Sequence, residues 1–322
     1  MQTKGTRALN GEDRNLHPIL VTGATGGHGN TGEHLVRRLT AAGHPVRVLS
    51  RRPNARTRRM TELGAELAVG DLHDRRTLVP ALQGVDLAYF VYPIDDGICS
   101  AAANFAAAAR EAGRYPRTVV MSMGPANPEH PSALGRAQWL AEQLLGWAGL
   151  NLTILRVAAL FHENIVALHA QSIRHDNTIR NCFGQGAVPW ISGRDAADLA
   201  ATALLNPEVF GSDPVQYVSG SEDVGHAEIA QLLTDLLDRP IDFESVGMEQ
   251  WREELVDLSD MDDTGTVNPA MAQHISAVAA RIAQNAPTTT ADPDRLEHLI
   301  GRPCTRLHAF LSANRDAFGT PL

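Results

Sequence analysis

The 322-residue sequence predicts an α/β protein in which a doubly wound parallel sheet is followed by a smaller, mostly helical C-terminal lobe. Three observations support this fold. Short apolar segments alternate with helical patterns through residues 19–155, which is typical of a parallel sheet with helices on both faces. A glycine-rich turn follows the first of these segments. Beyond residue 226 the apolar residues fall mainly at helical spacing.

The predicted elements follow one another in regular order through the first half of the chain. After residue 158 the alternation loosens, and two further strands (188–191 and 215–218) and a helix (195–205) are expected to return to the same sheet. In the first half, strands are predicted at 19–22, 46–49, 67–69, 87–91, 118–121 and 152–155, and helices from the glycine-rich turn to Gly43 and at about 54–63, 74–83, 98–112 and 134–147.

Composition and charge disfavour several classes of protein. The formal net charge is −9, from 28 basic and 37 acidic side chains, so no overall basic field attracts nucleic acid. The three cysteines lie far apart without a CxxC pair, which favours a reducing compartment over a disulfide framework or a zinc site. No apolar run reaches the roughly 18 residues of a membrane span, and the first residues are polar rather than an export signal. We therefore expect a cytoplasmic protein that binds neither nucleic acid nor membrane.

Lysine is almost absent from the chain. Of the 28 basic residues 27 are arginine, and the only lysine is Lys4, which lies in a polar segment (1–16) that we expect to be a flexible tail. Mechanisms that need a lysine in a folded active site are therefore disfavoured, among them Schiff-base chemistry, a P-loop and a Tyr–Lys proton relay.

The glycine-rich turn predicts a nucleotide site. It follows the first strand, opens a helix and heads a βαβ unit, which is the context that a Rossmann dinucleotide-binding turn requires. There the backbone approaches a pyrophosphate, and the N-terminus of the next helix stabilises it. The alternative is a flexible loop. The residues expected to bind the cofactor are Gly23, Thr25, Gly26, Gly29, Asn30, Thr31 and Gly32.

The end of the second strand predicts which dinucleotide binds. Arg51 and Arg52 begin 19 residues after Gly32, where a Rossmann unit reads the adenosine ribose. An acidic side chain there suits the 2′-hydroxyl of NAD, whereas guanidinium groups suit a 2′-phosphate. We therefore predict NADP(H), with a solvated basic patch as the alternative. Asp71 and Leu72, after the third strand, are expected near the adenine, unless this segment only caps the next helix.

Further segments make the chain similar to a known family. They read Val-Thr-Gly-Ala-Thr-Gly at 21–26, Ser-Arg-Arg-Pro at 50–53, Gly-Asp-Leu at 70–72, Leu-Arg at 155–156, Phe-His-Glu-Asn at 161–164 and Gly-Arg-Pro at 301–303. Over nearly the whole chain from residue 18, the sequence resembles the NmrA-like, atypical branch of the short-chain dehydrogenase/reductases. The resemblance implies NADP(H) binding, with either reduction of quinones and other small electrophiles or cofactor sensing. Gly27-His28-Gly29 are an insertion relative to the family, so the amides that meet the pyrophosphate stay open.

These motifs divide the chain into three predicted parts. The flexible tail (1–16) precedes an NADP-binding Rossmann domain (17–158), whose sheet is completed by segments within 185–220. The rest (159–322, mainly 221–322) is expected to form a substrate-binding lobe, with a cleft between the two.

The catalytic pair of the wider superfamily is missing. The resemblance places its Tyr-x-x-x-Lys helix at 134–145, where Leu134 stands in the tyrosine position and Gln138 in the lysine position. Leucine has no proton to give and glutamine carries no charge, so the standard carbonyl-reductase mechanism is excluded. Hydride transfer remains open to quinones and other conjugated acceptors, whose developing anion is already delocalised.

Other residues are candidates for the catalytic roles. Ser122 ends the fifth strand, Tyr92 follows the fourth, and His130 enters the helix as a candidate general acid. Gln138 is expected to bind the cofactor ribose. Each also has a structural interpretation: a turn hydroxyl, a packing ring or a surface histidine. The residues expected to line the substrate pocket are Phe161 and Asn164.

Two patterns are given structural interpretations. His162, His169 and His175 do not have the i, i+4 spacing of a zinc site on a helix, so no metal is expected. The alanine run at 101–109 is typical of a close-packed helix or of a contact between subunits, which leaves a homodimer open.

The sequence supports two functions. The first is an NADPH-dependent oxidoreductase that reduces a small conjugated or quinone-like molecule without the Tyr–Lys pair. The alternative is a non-catalytic NADP(H)-binding sensor that regulates a partner. An isomerase or lyase that retains its cofactor is a weaker interpretation, because it also needs a base in the same helix.

Overall fold

The computed structural model of the protein describes residues 17–26, 29–262, 265–284 and 288–319. The expected tail (1–16) lies outside these ranges, as do Gly27 and His28 of the glycine-rich turn. Within the described part of the chain, no helix combines the length and the apolar character needed to cross a membrane.

Seven parallel strands form the central sheet, in the order β3-β2-β1-β4-β5-β6-β10. The order reverses between β1 and β4, and the crevice at the carboxyl ends of such strands is where open α/β sheets bind ligands. The strands of the protein are β1 (Ile19–Val21), β2 (Val46–Ser50), β3 (Glu66–Val69), β4 (Leu87–Phe90), β5 (Arg117–Met123), β6 (Leu152–Val157), β7 (Leu160–Phe161), β8 (Thr178–Asn181), β9 (Ala187–Ile191), β10 (Val215–Val218), β11 (Glu222–Gly225) and β12 (Asp242–Ser245).

Helices cover both faces of this sheet, which confirms the doubly wound α/β prediction. One apolar core lies beneath the first, seventh and eleventh helices, and a second lies beneath the third, fourth and fifth. The α-helices are α1 (Thr31–Ala41), α2 (Ala55–Glu62), α3 (Arg75–Ala81), α4 (Ile98–Glu111), α5 (Ala133–Trp147), α6 (Glu163–Asp176), α7 (Gly193–Leu205), α8 (His226–Leu237), α9 (Met248–Met261), α10 (Pro269–Ala283), α11 (Pro293–Ile300) and α12 (Leu307–Ala313).

The alanine run belongs to α4 and is packed inside the protein. Ala101, Ala102, Ala108 and Ala109 are fully buried in the core beneath α3, α4 and α5. Small side chains allow α4 to lie close to the sheet and to α5, which accounts for the run.

A third apolar core belongs to the C-terminal lobe, built from α6, α8, α9, α10 and α12 around two small sheets. The expectation that residues 188–191 return to the central sheet was wrong, because β9 pairs with β7 and β11 in a separate three-stranded sheet. Val188 and Trp190 of β9 are buried in the lobe core, and the Trp190 indole N–H donates to the Val224 carbonyl at 2.9 Å. Only the strand at 215–218 returns to the central sheet, as β10.

Candidate functional site

The glycine-rich turn is shaped so that only glycine fits at its two ends. Gly23 has a left-handed φ of 62°, and a Cβ atom there would lie 2.5 Å from Val91 Cγ1. A Cβ atom on Gly32 would lie 2.4 Å from Ala24 Cα, so α1 packs directly against the backbone that follows β1. Asn30 precedes α1 with no side-chain cap to the helix amides. The first N–H groups of α1 therefore have no cap from this side chain and can bind an anionic group, as a pyrophosphate site requires.

The two arginines expected at the 2′-phosphate follow β2 immediately. Arg51 and Arg52 are both exposed, and the Ser50 hydroxyl donates to the Arg52 carbonyl at 3.1 Å, which shapes the bend. A third arginine acts on the turn itself: Arg56 Nη1 donates to the Thr25 carbonyl at 2.6 Å and so ties α2 to the glycine-rich turn. The sequence places Arg56 in a solvated basic patch, and no local pattern distinguishes it from its neighbours.

The segment after β3 forms a turn beside α3. Asp71 and Leu72 are half-buried, and Asp71 Oδ1 accepts from the His73 backbone N–H at 2.9 Å. Asp74 is the residue that caps α3, since its carboxylate accepts from the Arg76 backbone N–H at 3.1 Å. The Asp71 side chain therefore does not cap α3.

Tyr92 contacts His73 and lies close enough to Arg51 to be affected by its charge. Its hydroxyl is 2.7 Å from His73 Nε2 and donates to the Asp96 carbonyl at 3.0 Å. Burial raises the pKa of Tyr92, while the nearby Arg51 charge lowers it. Tyr92 does not line the cavity described next, so the structure separates it from Ser122 and His130.

A cavity of about 590 Å³ lies between the central sheet and the C-terminal lobe. Its walls come from the ends of β5, β6 and β7 and from α10, and side chains such as Leu160, Val188 and Ile275 make much of it apolar. Phe161 also lines it, and the Phe161 ring lies 3.1 Å from the point that a Cβ atom on Gly29 would occupy. The cavity therefore adjoins the glycine-rich turn. Of the predicted site residues, Ser122, His130, Phe161 and Asn164 line it.

The glycine-rich turn also touches the start of α7, a helix that packs on the central sheet. A Cβ atom on Gly193 would overlap the Gly29 carbonyl oxygen, so the two backbones are in close contact. Both carboxylate oxygens of Glu163 accept from the Gly193 N–H at 3.1 Å. Burial raises the pKa of Glu163 to about 7. Glu163 thus fixes the backbone that supports the turn.

Ser122 is held by a buried ion pair. Its hydroxyl donates to Glu142 Oε1, and Arg156 Nε donates to both oxygens of the same carboxylate at 3.2 Å. The side chains of Glu142 and Arg156 are 0% and 12% exposed. Arg156 Nη1 continues the network to the Tyr217 hydroxyl at 2.5 Å. Because the Ser122 hydrogen is used by Glu142, the Ser122 oxygen can only accept a further hydrogen bond.

His130 is a buried histidine with one ring nitrogen engaged. Its Nδ1 accepts from the Ser132 backbone N–H at 3.1 Å, so the proton of the neutral ring is on Nε2. Burial lowers the pKa of His130, and the Arg281 charge lowers it further. His274, on α10, also lines the cavity, and its Nδ1 is 2.7 Å from the Ser132 hydroxyl. Ser132 thus joins two histidines of the cavity wall.

Gln138, on α5, is the candidate for binding the cofactor ribose. Leu134 and Gln138 are both buried, and within the described residues Gln138 Nε2 is a buried nitrogen without a hydrogen-bond partner. Gln138 shares a helix face with Glu142, one turn further along α5, and Glu142 contacts Ser122 at the end of β5. An orphaned donor here fits a ribose hydroxyl, and the glycine turn fits a pyrophosphate. The residues of the site therefore fit a dinucleotide.

The model of the NmrA-like family matches residues 16–286. The chain belongs to the NmrA-like family. It is 31% identical to an NAD(P)H azoreductase from Xenophilus azovorans, over 94% of this chain and 99% of that protein. It is also 31% identical to a (4-alkanoyl-5-oxo-2,5-dihydrofuran-3-yl)methyl phosphate reductase from Streptomyces griseus, over 93% and 99% of the two chains.

Solved structures share the fold of this NmrA-like protein. An NADPH complex of an NADPH-dependent quinone oxidoreductase from Escherichia coli superposes with a TM-score of 0.75 at 20% identity, covering 92% of this chain and 99% of the other. A triphenylmethane reductase from Citrobacter sp., complexed with NADP(H), gives a TM-score of 0.73 at 21% identity, with the same coverage.

Several residues of this site could not be predicted from the sequence. His274 and Arg281 reach the cavity from α10, which carries no motif. Glu142 had a usable signal, because an acidic residue one turn after Gln138 on a mainly apolar helix face demands a buried partner.

Proposed function

We propose that this NmrA-like protein is an NADPH-dependent oxidoreductase that reduces small conjugated molecules such as quinones. The observation that carries the proposal is the contact between two sites: an apolar cavity opens beside the glycine-rich turn, with Phe161 in contact with both. Two relatives that match 94% and 93% of the chain, one named an NAD(P)H azoreductase and the other a reductase, support the same class of reaction.

NADPH, when bound, supplies a hydride, and the quinone gains that hydride and one proton to become a hydroquinone while NADP⁺ is formed. The chain's own residues would hold two parts of the cofactor. The amides of the glycine-rich turn and the first turn of α1 would bind the pyrophosphate bridge, and Arg51 and Arg52 would bind the 2′-phosphate of the adenosine end. Gln138 Nε2 donates to the ribose, at the position where the wider superfamily has a lysine.

His130 acts as a neutral hydrogen-bond donor. The proton of the neutral ring is on Nε2. Burial and the Arg281 charge lower the pKa of His130, so the ring is neutral and not an imidazolium at neutral pH. A neutral imidazole stabilises the negative charge that develops on an acceptor oxygen. The delocalised product anion then takes its proton from water, so no tyrosine is needed. We therefore propose this hydrogen-bonding role for His130 in place of the general-acid role expected from the sequence.

The test is the rate of NADPH oxidation with a panel of quinones, azo compounds and enones. We expect turnover of at least one acceptor class, and we expect His130→Gln to lower kcat by about a hundredfold because one donor to a developing oxyanion is lost. The exposed His298→Gln serves as the matched control and should keep the wild-type rate. Tight NADPH binding without turnover of any acceptor would support the cofactor sensor instead.

A further inference from the structure

We infer that the acceptor carries an anionic substituent, a sulfonate, carboxylate or phosphate, which Arg281 binds at the mouth of the cavity. This inference rests on the proposed function, since it assigns the substrate class of the same cavity.

Arg281 is the one arginine among the described residues that line the cavity, and the chain's single lysine lies outside the described residues. It occupies the last turn of α10, is exposed, and has no ion-pair or hydrogen-bond partner among the described residues. Most arginines near the central sheet are used differently, as Arg156 and Arg56 show. A guanidinium group left unpaired at the rim of a ligand cavity is available to a ligand anion.

The surroundings of Arg281 favour an anion over a neutral polar group. Thr288 and Thr289 line the same cavity and are exposed, so two hydroxyl donors accompany the guanidinium group. A second guanidinium group lies close to this wall, because Arg136 Nη1 donates to the His130 carbonyl at 2.6 Å. Arg281 and Arg136 thus bring two positive charges to this region, against the one carboxylate of the described cavity lining, Glu129, although the protein as a whole carries a charge of −9.

The apolar walls of the cavity determine what shape of anionic substrate can bind. Leu160, Val188, Met271, Ile275 and Val278 form apolar walls, which suit a flat conjugated ring. An anionic ring compound would place its ring between these walls and its charged substituent at Arg281. The negative net charge of the protein repels anions in solution. Because Arg281 attracts them at the cavity, it favours binding of an anionic ring compound there over binding elsewhere on the surface.

The experiment compares a naphthoquinone with the same quinone carrying a sulfonate, for the wild type, Arg281→Gln and Arg281→Lys. We expect Arg281→Gln to raise KM for the sulfonated quinone roughly tenfold relative to KM for the neutral quinone, because only the sulfonate loses a charge-assisted hydrogen bond. An effect of the lost charge on His130 is common to the two quinones and leaves this ratio unaltered. The KM of Arg281→Lys for the sulfonated quinone should lie between the KM of the wild type and that of Arg281→Gln. Arg110→Gln removes an exposed positive charge from α4, away from the cavity, and controls for the change in net charge.

Binding of naphthalene sulfonate to the NADP⁺ complex, measured by calorimetry, gives a readout that needs no turnover. The same roughly tenfold weakening is expected for Arg281→Gln. If neither quinone is reduced but the sulfonate still binds through Arg281, the proposed activity fails and the anion site stands. If Arg281→Gln changes the two quinones equally, or lowers only the melting temperature as loss of a charge at the C-terminus of α10 would, the inference is overturned.

Discussion

The buried ion pair behind Ser122 allows a quantitative test of how the cavity wall is built. Glu142 and Arg156 are almost fully removed from solvent and bind each other through both carboxylate oxygens. Replacing either one leaves the other charge buried without its partner, at a cost of about 3–5 kcal/mol. We therefore expect Glu142→Met and Arg156→Met each to destabilise the protein by that amount. The double variant should lose much less than the sum, because an apolar pair leaves no buried charge.

The assay is urea unfolding of the wild type, both single variants and the double variant, analysed as a double-mutant cycle. In thermal unfolding of the same variants, at roughly 2–4 °C per kcal/mol, the melting temperature of each single variant should fall by about 10 °C. The exposed pair Glu249–Arg252 is the control, and Glu249→Met should cost less than about 1 kcal/mol. Additive losses at Glu142 and Arg156 would refute the reasoning, since they would show that the two charges do not depend on each other.

Three other perturbations test the site and its surroundings. Gly32→Ala should abolish measurable NADPH binding in a fluorescence titration, because its Cβ atom would meet backbone at 2.4 Å, whereas Gly146→Ala, with its nearest contact at 3.9 Å, should bind normally. Arg51→Glu should weaken NADPH binding far more than NADH binding, and Arg58→Glu, an exposed arginine of α2, should affect both little; an equal loss for both nucleotides would remove the phosphate assignment. The pKa of His169 is lowered by burial from 6.5 to about 4, so the unfolded chain binds this proton first and stability falls as pH drops below 6.5. Between pH 7 and pH 5 this one group should cost about 2 kcal/mol of unfolding free energy, and His169→Phe should flatten the pH dependence by that amount.

The fold of the first half could be predicted from the sequence because each helix and strand has a recognisable pattern within its own few residues. The alternation of short apolar strands with helices, and the glycines that only a tight turn needs, lie within a few residues of each other. The strand at 188–191 could not be assigned to the right sheet, because an apolar strand is buried in either sheet and the partner of β9 is set by packing of the lobe. The helix α6 was missed because polar residues interrupt its apolar face.

The site was only partly predictable for a related reason. Ser122, at the carboxyl end of β5, and His130, in the loop that follows this strand, can be expected near the site from topology once the strands are known. The opposite wall comes from α10, and the contact between Ser132 and His274 joins residues 142 positions apart. No local pattern specifies such a contact. Tyr92 is a case in which a local position is misleading. Its place after β4 suggests a contact with the nicotinamide end of the cofactor, but its hydroxyl forms a hydrogen bond with His73.

The most direct test of the central claim is a crystal structure of the protein with NADP⁺ and a quinone bound. The account predicts the pyrophosphate on the first turn of α1, the nicotinamide ring beside Ser122 and Phe161, and the quinone in the cavity against Ile275. A nicotinamide ring that pointed away from the cavity, or a quinone bound elsewhere, would contradict it.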